Sequence, residues 1–422
     1  MKVIRMMEAI KLIGPFKQLL TMEVLPLKGS LSDSQLLIID DAGIMVSNGK
    51  VMATGNYATL KKEHPSAECH ELKGDHVCLP GFIDAHTHIC FGGSRANDYA
   101  LRNSGKTYLE IAKAGGGIWD TVTQTRKANM EELTKSTSKL ANRHLKTGVT
   151  TLEVKSGYGL SIEEEIKMLE AIREANKVIP SDIIATCLAA HMFPKDFKGS
   201  KKDYLKELST TLLPKLKESN LTHRVDAFIE ESAFSPTEIA PYFKTAKSMG
   251  FDITVHADQF TPGGSQVAID FGAISADHLE ASTEKEIQLL AKSDTIATAL
   301  PGASLGLGCN FTPARKLLDA GATVAIASDH NPGSAPMGDL LTQAAILGAF
   351  EKLSNAEVLA GITVRAAAAL GLKDRGKLTK GLLADFSVFH TNNYQEILYN
   401  QGNLKPCMVW KEGNLVYNKH KA

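Results

Sequence analysis

No stretch of 18 uncharged apolar residues occurs in this chain of 422 residues, so no membrane-spanning helix is expected. The first residues, Met1 to Leu20, are interrupted by Lys2, Arg5, Glu8, Lys11 and Lys17. They lack the continuous apolar core of a secretory signal, which argues against export by that route. The six cysteines form no CxxC pair. That pattern excludes a disulfide framework and fits a reducing, cytoplasmic setting. There is no net charge, with Lys+Arg and Asp+Glu both 47, so no general basic field invites nucleic acid. Low-complexity tracts and repeated motifs are also missing. What is present is apolar mass. Hydrophobic residues make up 43% of the chain. A barrel of roughly 250 residues with a satellite domain would use this length.

The two ends of the chain read alike. Leu36 to Asp41 and Ile44 to Ala53 look like short strands, and Asn48-Gly49 between apolar runs is a strong hairpin signal. Asp385 to Phe389 reads as a strand, and Met408 to Tyr417 as a hairpin turning at Glu412-Gly413-Asn414. Neither end has enough strands for a sheet sandwich of its own. The expectation is one composite β-sandwich domain built from residues 1–76 and 371–422. Residues 77–370 then form the other domain. Eight strand candidates lie there, ending near His88, Lys155, His191, Glu230, His256, His278, Leu300 and Asp329. Helical patterns such as Ile162 to Ile172 separate most of them. The fold class is therefore α/β, with a (β/α)8 barrel in the middle of the chain. The longest insertion, Ile89 to Gly148, carries Gly92-Gly93 and Gly115-Gly116-Gly117 and reads as a cover for the active site.

The chemistry is concentrated at the strand ends. Asp84-Ala85-His86-Thr87-His88 follows the apolar run Val77 to Ile83, and in an extended strand residues i and i+2 share a face. Both imidazoles can reach one metal ion. His256, His278 and Asp329 close later strands. Three neutral imidazoles and a carboxylate, His86, His88, His256 and Asp329, suit Zn²⁺ or iron (Fe²⁺/Fe³⁺). A position left open would take a water whose pKa the ion lowers towards neutrality. Asp329 can accept the proton of that water, and His278 can polarise a substrate carbonyl. Any one of these histidines alone would read as a strand-end residue satisfied by hydrogen bonds. The ordered set reads as a metal site.

Pro80-Gly81-Phe82-Ile83-Asp84-Ala85-His86-Thr87-His88, followed by strand-end His, His and Asp, resembles the amidohydrolase superfamily. Phe91 to Arg95, Ala114 to Ile118, Glu153 to Leu160, Ala190-His191, His256 to Asp258, Ser275 to Leu279 and Asp329 to Ser334 narrow the resemblance to members acting in histidine degradation. It runs from about residue 35 to the C-terminus. The resemblance implies hydrolysis of the cyclic amide of 4-imidazolone-5-propanoate to N-formimidoyl-L-glutamate. It implies one divalent ion per chain on His86, His88, His256 and Asp329. It assigns substrate contacts to Arg95, Tyr158, His191, Asn331, Gly333 and Ser334, and it suggests a homodimer. Independently, Arg95 offers a bidentate fork for a propanoate tail, although a surface salt bridge is its ordinary reading. Tyr158 sits between glycines that allow close backbone approach, or it is simply a packed loop aromatic.

Two positions bear on the alternatives. Relatives with two metals use a carboxylated lysine ending the fourth barrel strand, whereas that strand here ends Val225 to Glu230. Lys155 ends strand two, and either pairs with a carboxylate such as Glu153 or faces solvent. One metal is therefore expected. After His256-Ala257-Asp258 the superfamily often has glutamate, and this chain has Gln259, which cannot shuttle a proton. Gln259 is read as a substrate contact, with His191, His278 and Asp329 as the catalytic groups. That residue also counts against the second reading, a mononuclear deaminase of a nucleobase-like heterocycle. A third reading, a non-catalytic binding protein on the same fold, predicts lost metal ligands, and all four are present.

Overall fold

The computed structural model describes residues 10–106, 110 and 115–419. The charged N-terminal positions Lys2, Arg5 and Glu8, and Ala114 of the glycine-rich motif, lie outside the described residues.

Two sheets organise the chain. The first joins β1 (Lys11–Leu20), β2 (Ile38–Ser47), β3 (Lys50–Asn56), β4 (Glu68–Glu71) and β5 (Val77–Pro80) to β14 (Phe386–Phe389), β15 (Met408–Lys411) and β16 (Asn414–Asn418). The two chain ends meet where β5 runs antiparallel to β14, with Leu79 opposite Ser387. Both hairpin signals are realised. Asn48 and Gly49 take φ of 49° and 73°, and Glu412 and Gly413 take 49° and 68°, the doubly left-handed geometry that a tight hairpin demands. The segments read as separate strands around residues 36–41 and 44–47 are one continuous β2. Strands β1 and β4 carry no turn signal of their own and were not legible beforehand.

The second sheet is parallel throughout, in the order β6 (Phe82–Asp84), β7 (Val149–Lys155), β8 (Asp182–Ala190), β9 (Arg224–Phe228), β10 (Asp252–Ala257), β11 (Ser275–His278), β12 (Ile296–Ala299) and β13 (Val324–Ile326). This is the expected (β/α)8 architecture. Its edges come together beyond β6 and β13. There the amide of His88 donates to the His330 carbonyl at 2.9 Å, and that of Asp329 to the His86 carbonyl at 3.0 Å. All seven residues of β7 are buried because helices cover one face and the barrel interior the other.

The apolar run Val77 to Ile83, read as one strand, is two. Gly81 is the switch. Its amide bonds the Asp385 carbonyl in the first sheet, while the amide of Phe82 bonds Gly148 beside the barrel. A Cβ at Gly81 would lie 2.3 Å from the Thr150 hydroxyl, so only glycine lets the chain cross here. The Ile89 to Gly148 insertion is not a loop. It contains helices Ala96–Asn103, Ile118–Lys127 and Met130–Lys146.

Candidate metal centre and active site

His86 and His88 lie just past β6, in extended chain that pairs at Thr87 with His330. Their Nε2 atoms are 3.1 Å apart, and Nε2 of His256, from β10, is 3.3 Å from that of His88. Asp329 Oδ1 stands 3.6 Å and 3.5 Å from the Nε2 atoms of His86 and His88. Asp329 reaches this point from a left-handed backbone, φ 52°. Its carboxylate is fixed by Asn331, whose side-chain amide donates to Oδ2 at 2.9 Å.

The electrostatics are those of a cation site. Nδ1 of His86 hydrogen-bonds Asp277 at 2.7 Å, and Nδ1 of His256 lies 2.9 Å from the Asp226 carboxylate as an ion-pair contact. Each outer nitrogen thus faces a carboxylate, which draws the ring proton to that side and leaves the lone pair on the inner Nε2. Burial, then neighbouring positive groups, hold His86 and His88 well below the usual histidine range. Burial lowers His256 to about 4 against the pull of Asp226. Burial also pushes Asp329 up to about 6. Lone pairs that meet with no proton between them, and a carboxylate with too little counter-charge, are both relieved by a divalent ion. The residues present fit a metal.

Around this cluster a cavity of about 680 Å³ opens, lined by His88, His256, His278 and Asp329 at its floor. Arg95, Tyr158, His191, Gln259, Asn331, Gly333 and Ser334 line the same cavity. The structure therefore gathers the whole expected set, with His86 packed beneath. His191 bonds the Gly157 carbonyl through Nδ1 at 2.9 Å, and its ring stacks on His88 with centroids 5.5 Å apart. Burial lowers it to about 4, leaving a neutral imidazole. Tyr158 is buried against His88 and His191. Arg95 faces the cavity but is already ion-paired through Nε to Asp98, and its Nη1 donates to Thr121 at 3.3 Å. It is thus both a cavity cation and a salt-bridge partner. Asn331 is more than a contact residue, because its Oδ1 also accepts the amides of Gly333 and Ser334, each at 2.8 Å. The loop after β13 is built around it.

Several functional neighbours escaped the sequence reading. Glu165 accepts the amides of Gly157 at 3.0 Å, Gly159 at 2.8 Å and Leu160 at 2.7 Å, which shapes the loop carrying Tyr158. Glu230, noticed only as a strand end, accepts the amides of Phe260 and Thr261, each at 2.8 Å, and so holds the loop of Gln259. Glu280 lies 3.3 Å from Nδ1 of His278. Burial opposes a charge on His278, yet Glu280 and Asp329 raise it above its ordinary value. Asp226 sits on a strand where an acidic residue gives no motif, and Asp277, although inside the Ser275 to Leu279 motif, was given no role there. Of the two readings of Lys155, pairing with Glu153 is the one found, and the solvent-facing one is not. The side chain is wholly buried against Glu153 at 2.8 Å.

The amidohydrolase family model matches residues 77–416, and the chain belongs to that family. Within it the chain is 40% identical to an imidazolonepropionase from Bacillus cytotoxicus over 387 residues, 91% of each protein. It is 39% identical to the imidazolonepropionase of Bacillus cereus strain B4264 over 389 residues, again 91% of each. Among solved structures, E. coli guanine deaminase matches with a TM-score of 0.72 at 17% identity, covering 97% of this chain and 99% of that one. A zinc-bound adenosine deaminase from Xanthomonas campestris gives 0.69 at 18% identity, covering 96% and 92%. These two likenesses define the fold alone.

Proposed function

We infer that this enzyme hydrolyses the ring amide of 4-imidazolone-5-propanoate to N-formimidoyl-L-glutamate. The observation that carries the reading is 40% identity to an imidazolonepropionase along 91% of both chains. The cavity chemistry supports it. His86, His88, His256 and Asp329 would hold one divalent ion per chain, Zn²⁺ or iron, supplying an acidified water and a Lewis acid for the amide carbonyl. The protein's own groups do the rest. Asp329 takes the proton released by the attacking water. Hydrolysis needs a proton on the ring nitrogen that leaves, so this one must travel onward. His278 and the neutral His191 orient and polarise the carbonyl. Arg95, although shared with Asp98, offers its remaining donors to the propanoate. Tyr158, Gln259, Asn331, Gly333 and Ser334 enclose the ring. Gln259 has no hydrogen-bond partner among the described residues and is free to bond the substrate.

We regard the small sheet joined from the two chain ends as a scaffold beside the barrel; it takes in β5, Val77–Pro80, so the barrel begins at Phe82 rather than at residue 77. We assign the cytoplasm as its location because all six cysteines are free thiols. Among the described residues no helix is long and apolar enough to cross a membrane. A homodimer is proposed on the resemblance alone.

The decisive experiment is turnover of imidazolone propanoate by freshly purified protein, followed by loss of the imidazolone absorbance and by product mass. Ammonia release in its place would sink the assignment in favour of a deaminase. Elemental analysis is expected to find one divalent ion per chain. Two ions, or none in active protein, would contradict the single site.

A further inference from the structure

Lys155 ends β7 deep under the histidine cluster, and no step of the reaction uses it. Its side chain is entirely buried, as are those of Glu153 and Asp226, while Asp277 is almost so. The ammonium lies 2.8 Å from Glu153 Oε2, 2.9 Å from Asp226 Oδ2 and 3.9 Å from Asp277 Oδ2. A lysine is rarely driven into a barrel without a partner, and here it has three.

What matters is which oxygens it touches. Asp226 Oδ2, the atom ion-paired with Lys155, is also the atom 2.9 Å from Nδ1 of His256. Asp277 Oδ2, the atom facing Lys155, is the one 2.7 Å from Nδ1 of His86. The two aspartates therefore connect one ammonium to two imidazoles that come from different strands, β10 and the end of β6. Other bonds hold the carboxylates in place. Asp226 Oδ1 accepts the His256 amide at 3.2 Å, and Asp277 Oδ2 accepts Thr254 Oγ1 at 3.2 Å. Glu153 touches no imidazole. It is pinned by Thr186 at 2.5 Å, with Arg224 at 3.9 Å. Its part is to neutralise the lysine.

We propose that Lys155 is a positioning residue for the metal ligands: a single buried cation that fixes Asp226 and Asp277, and through them the rings of His256 and His86. Carboxylates that receive the outer ring proton decide which nitrogen faces the ion and at what angle. Left without the ammonium, two buried aspartates close together would repel each other and turn towards other donors. The ring angles would follow. The inference rests on His86 and His256 being ligands, and it goes beyond that reading by placing the control of their geometry on a residue of a third strand.

The test is competition of the zinc-loaded protein with a chelator of known affinity. Lys155→Met should weaken zinc binding by roughly 10- to 100-fold, the usual cost of losing an outer support of a metal ligand. It should also shift the visible spectrum of the cobalt-substituted protein. Asp226→Asn should weaken zinc by a similar factor. The double variant should lose clearly less than the product of the two, because both act on His256. Glu153→Gln, which reaches no imidazole, should stay within about threefold of wild type. If Lys155→Met does not fold, Lys155→Met/Glu153→Gln removes the ion pair as a neutral unit and is judged by the same loss. Wild-type zinc affinity and cobalt spectrum in a folded Lys155 variant would overturn the proposal, as would strictly multiplicative losses. Should wild type bind no zinc, or His256→Ala bind it normally, the ligand assignment itself would fail instead.

Discussion

At the scale of the residue, the centre is a set of compensated burials. His86, His88, His256 and Asp329 would each be costly alone; outer carboxylates offset part of that cost, and the ion proposed for them would offset more. Gln259 is the residue whose chemistry differs from the common pattern. It lines the cavity from a loop secured by Glu230 and by Asp258, which accepts the amide of Gly263 at 2.9 Å. An amide binds without exchanging a proton, so Gln259→Ala should raise KM by roughly three- to tenfold and spare kcat. Gln259→Glu should keep activity and add an ionisation to the pH profile. Steady-state kinetics decide this: a collapsed kcat with unchanged KM in Gln259→Ala would put position 259 in the transition state.

At the scale of the element, Glu357 and Asp33 are among the carboxylates that tie the segment before β2 to the barrel helices. Glu357 accepts the Leu31 amide at 3.0 Å, the Ser354 amide at 2.8 Å and Arg315 Nη1 at 2.8 Å. Burial would raise its pKa, but Arg315 and these amides outweigh it and hold the group below the usual value. A depressed folded pKa stabilises above the unfolded value and loses that contribution as pH falls through the folded one. Glu357→Gln should therefore cost about 1–3 kcal/mol at neutral pH, and the deficit should shrink below about pH 4. Urea unfolding of both proteins at the two pH values measures it. An equal gap at both would mean that the charge contributes nothing.

Across the whole molecule, the proposed ligand set spans the place where the barrel closes. His86 and His88 follow the first barrel strand, Asp329 follows the last, and the two segments already exchange backbone hydrogen bonds. A bound ion thus reinforces an existing seam. Removing it should leave the far-UV spectrum intact and lower the melting temperature by a few degrees. An ion at 100 times its Kd contributes about 2.7 kcal/mol. Calorimetry with and without chelator tests this. Loss of secondary structure on chelation would show that the barrel depends on the metal to fold.

Much of this was readable in one dimension. Apolar runs with a polar residue at the end located seven of the eight barrel strands, the run to Leu300 located the other, and Asn48-Gly49 and Glu412-Gly413 located both hairpins, because turn geometry and parallel-strand burial are local demands. The spacing of His86 and His88 likewise makes a shared ion possible without knowledge of the rest. Other features had no local signature. Val77 to Ile83 divides between two sheets at Gly81, whose need for glycine comes from Thr150, far along the chain. Glu165, Glu230 and Glu280 are ordinary acids in sequence and become loop anchors or a histidine partner only through distant contacts. Lys155 could equally have faced water. The linear chain determined which residues can bind a metal and where strands stop, since those follow from side-chain chemistry and short-range periodicity. Only the closed barrel decided which carboxylate supports which imidazole, because that depends on strands β6, β7, β9, β10 and β11 being brought within a few ångström by long-range packing.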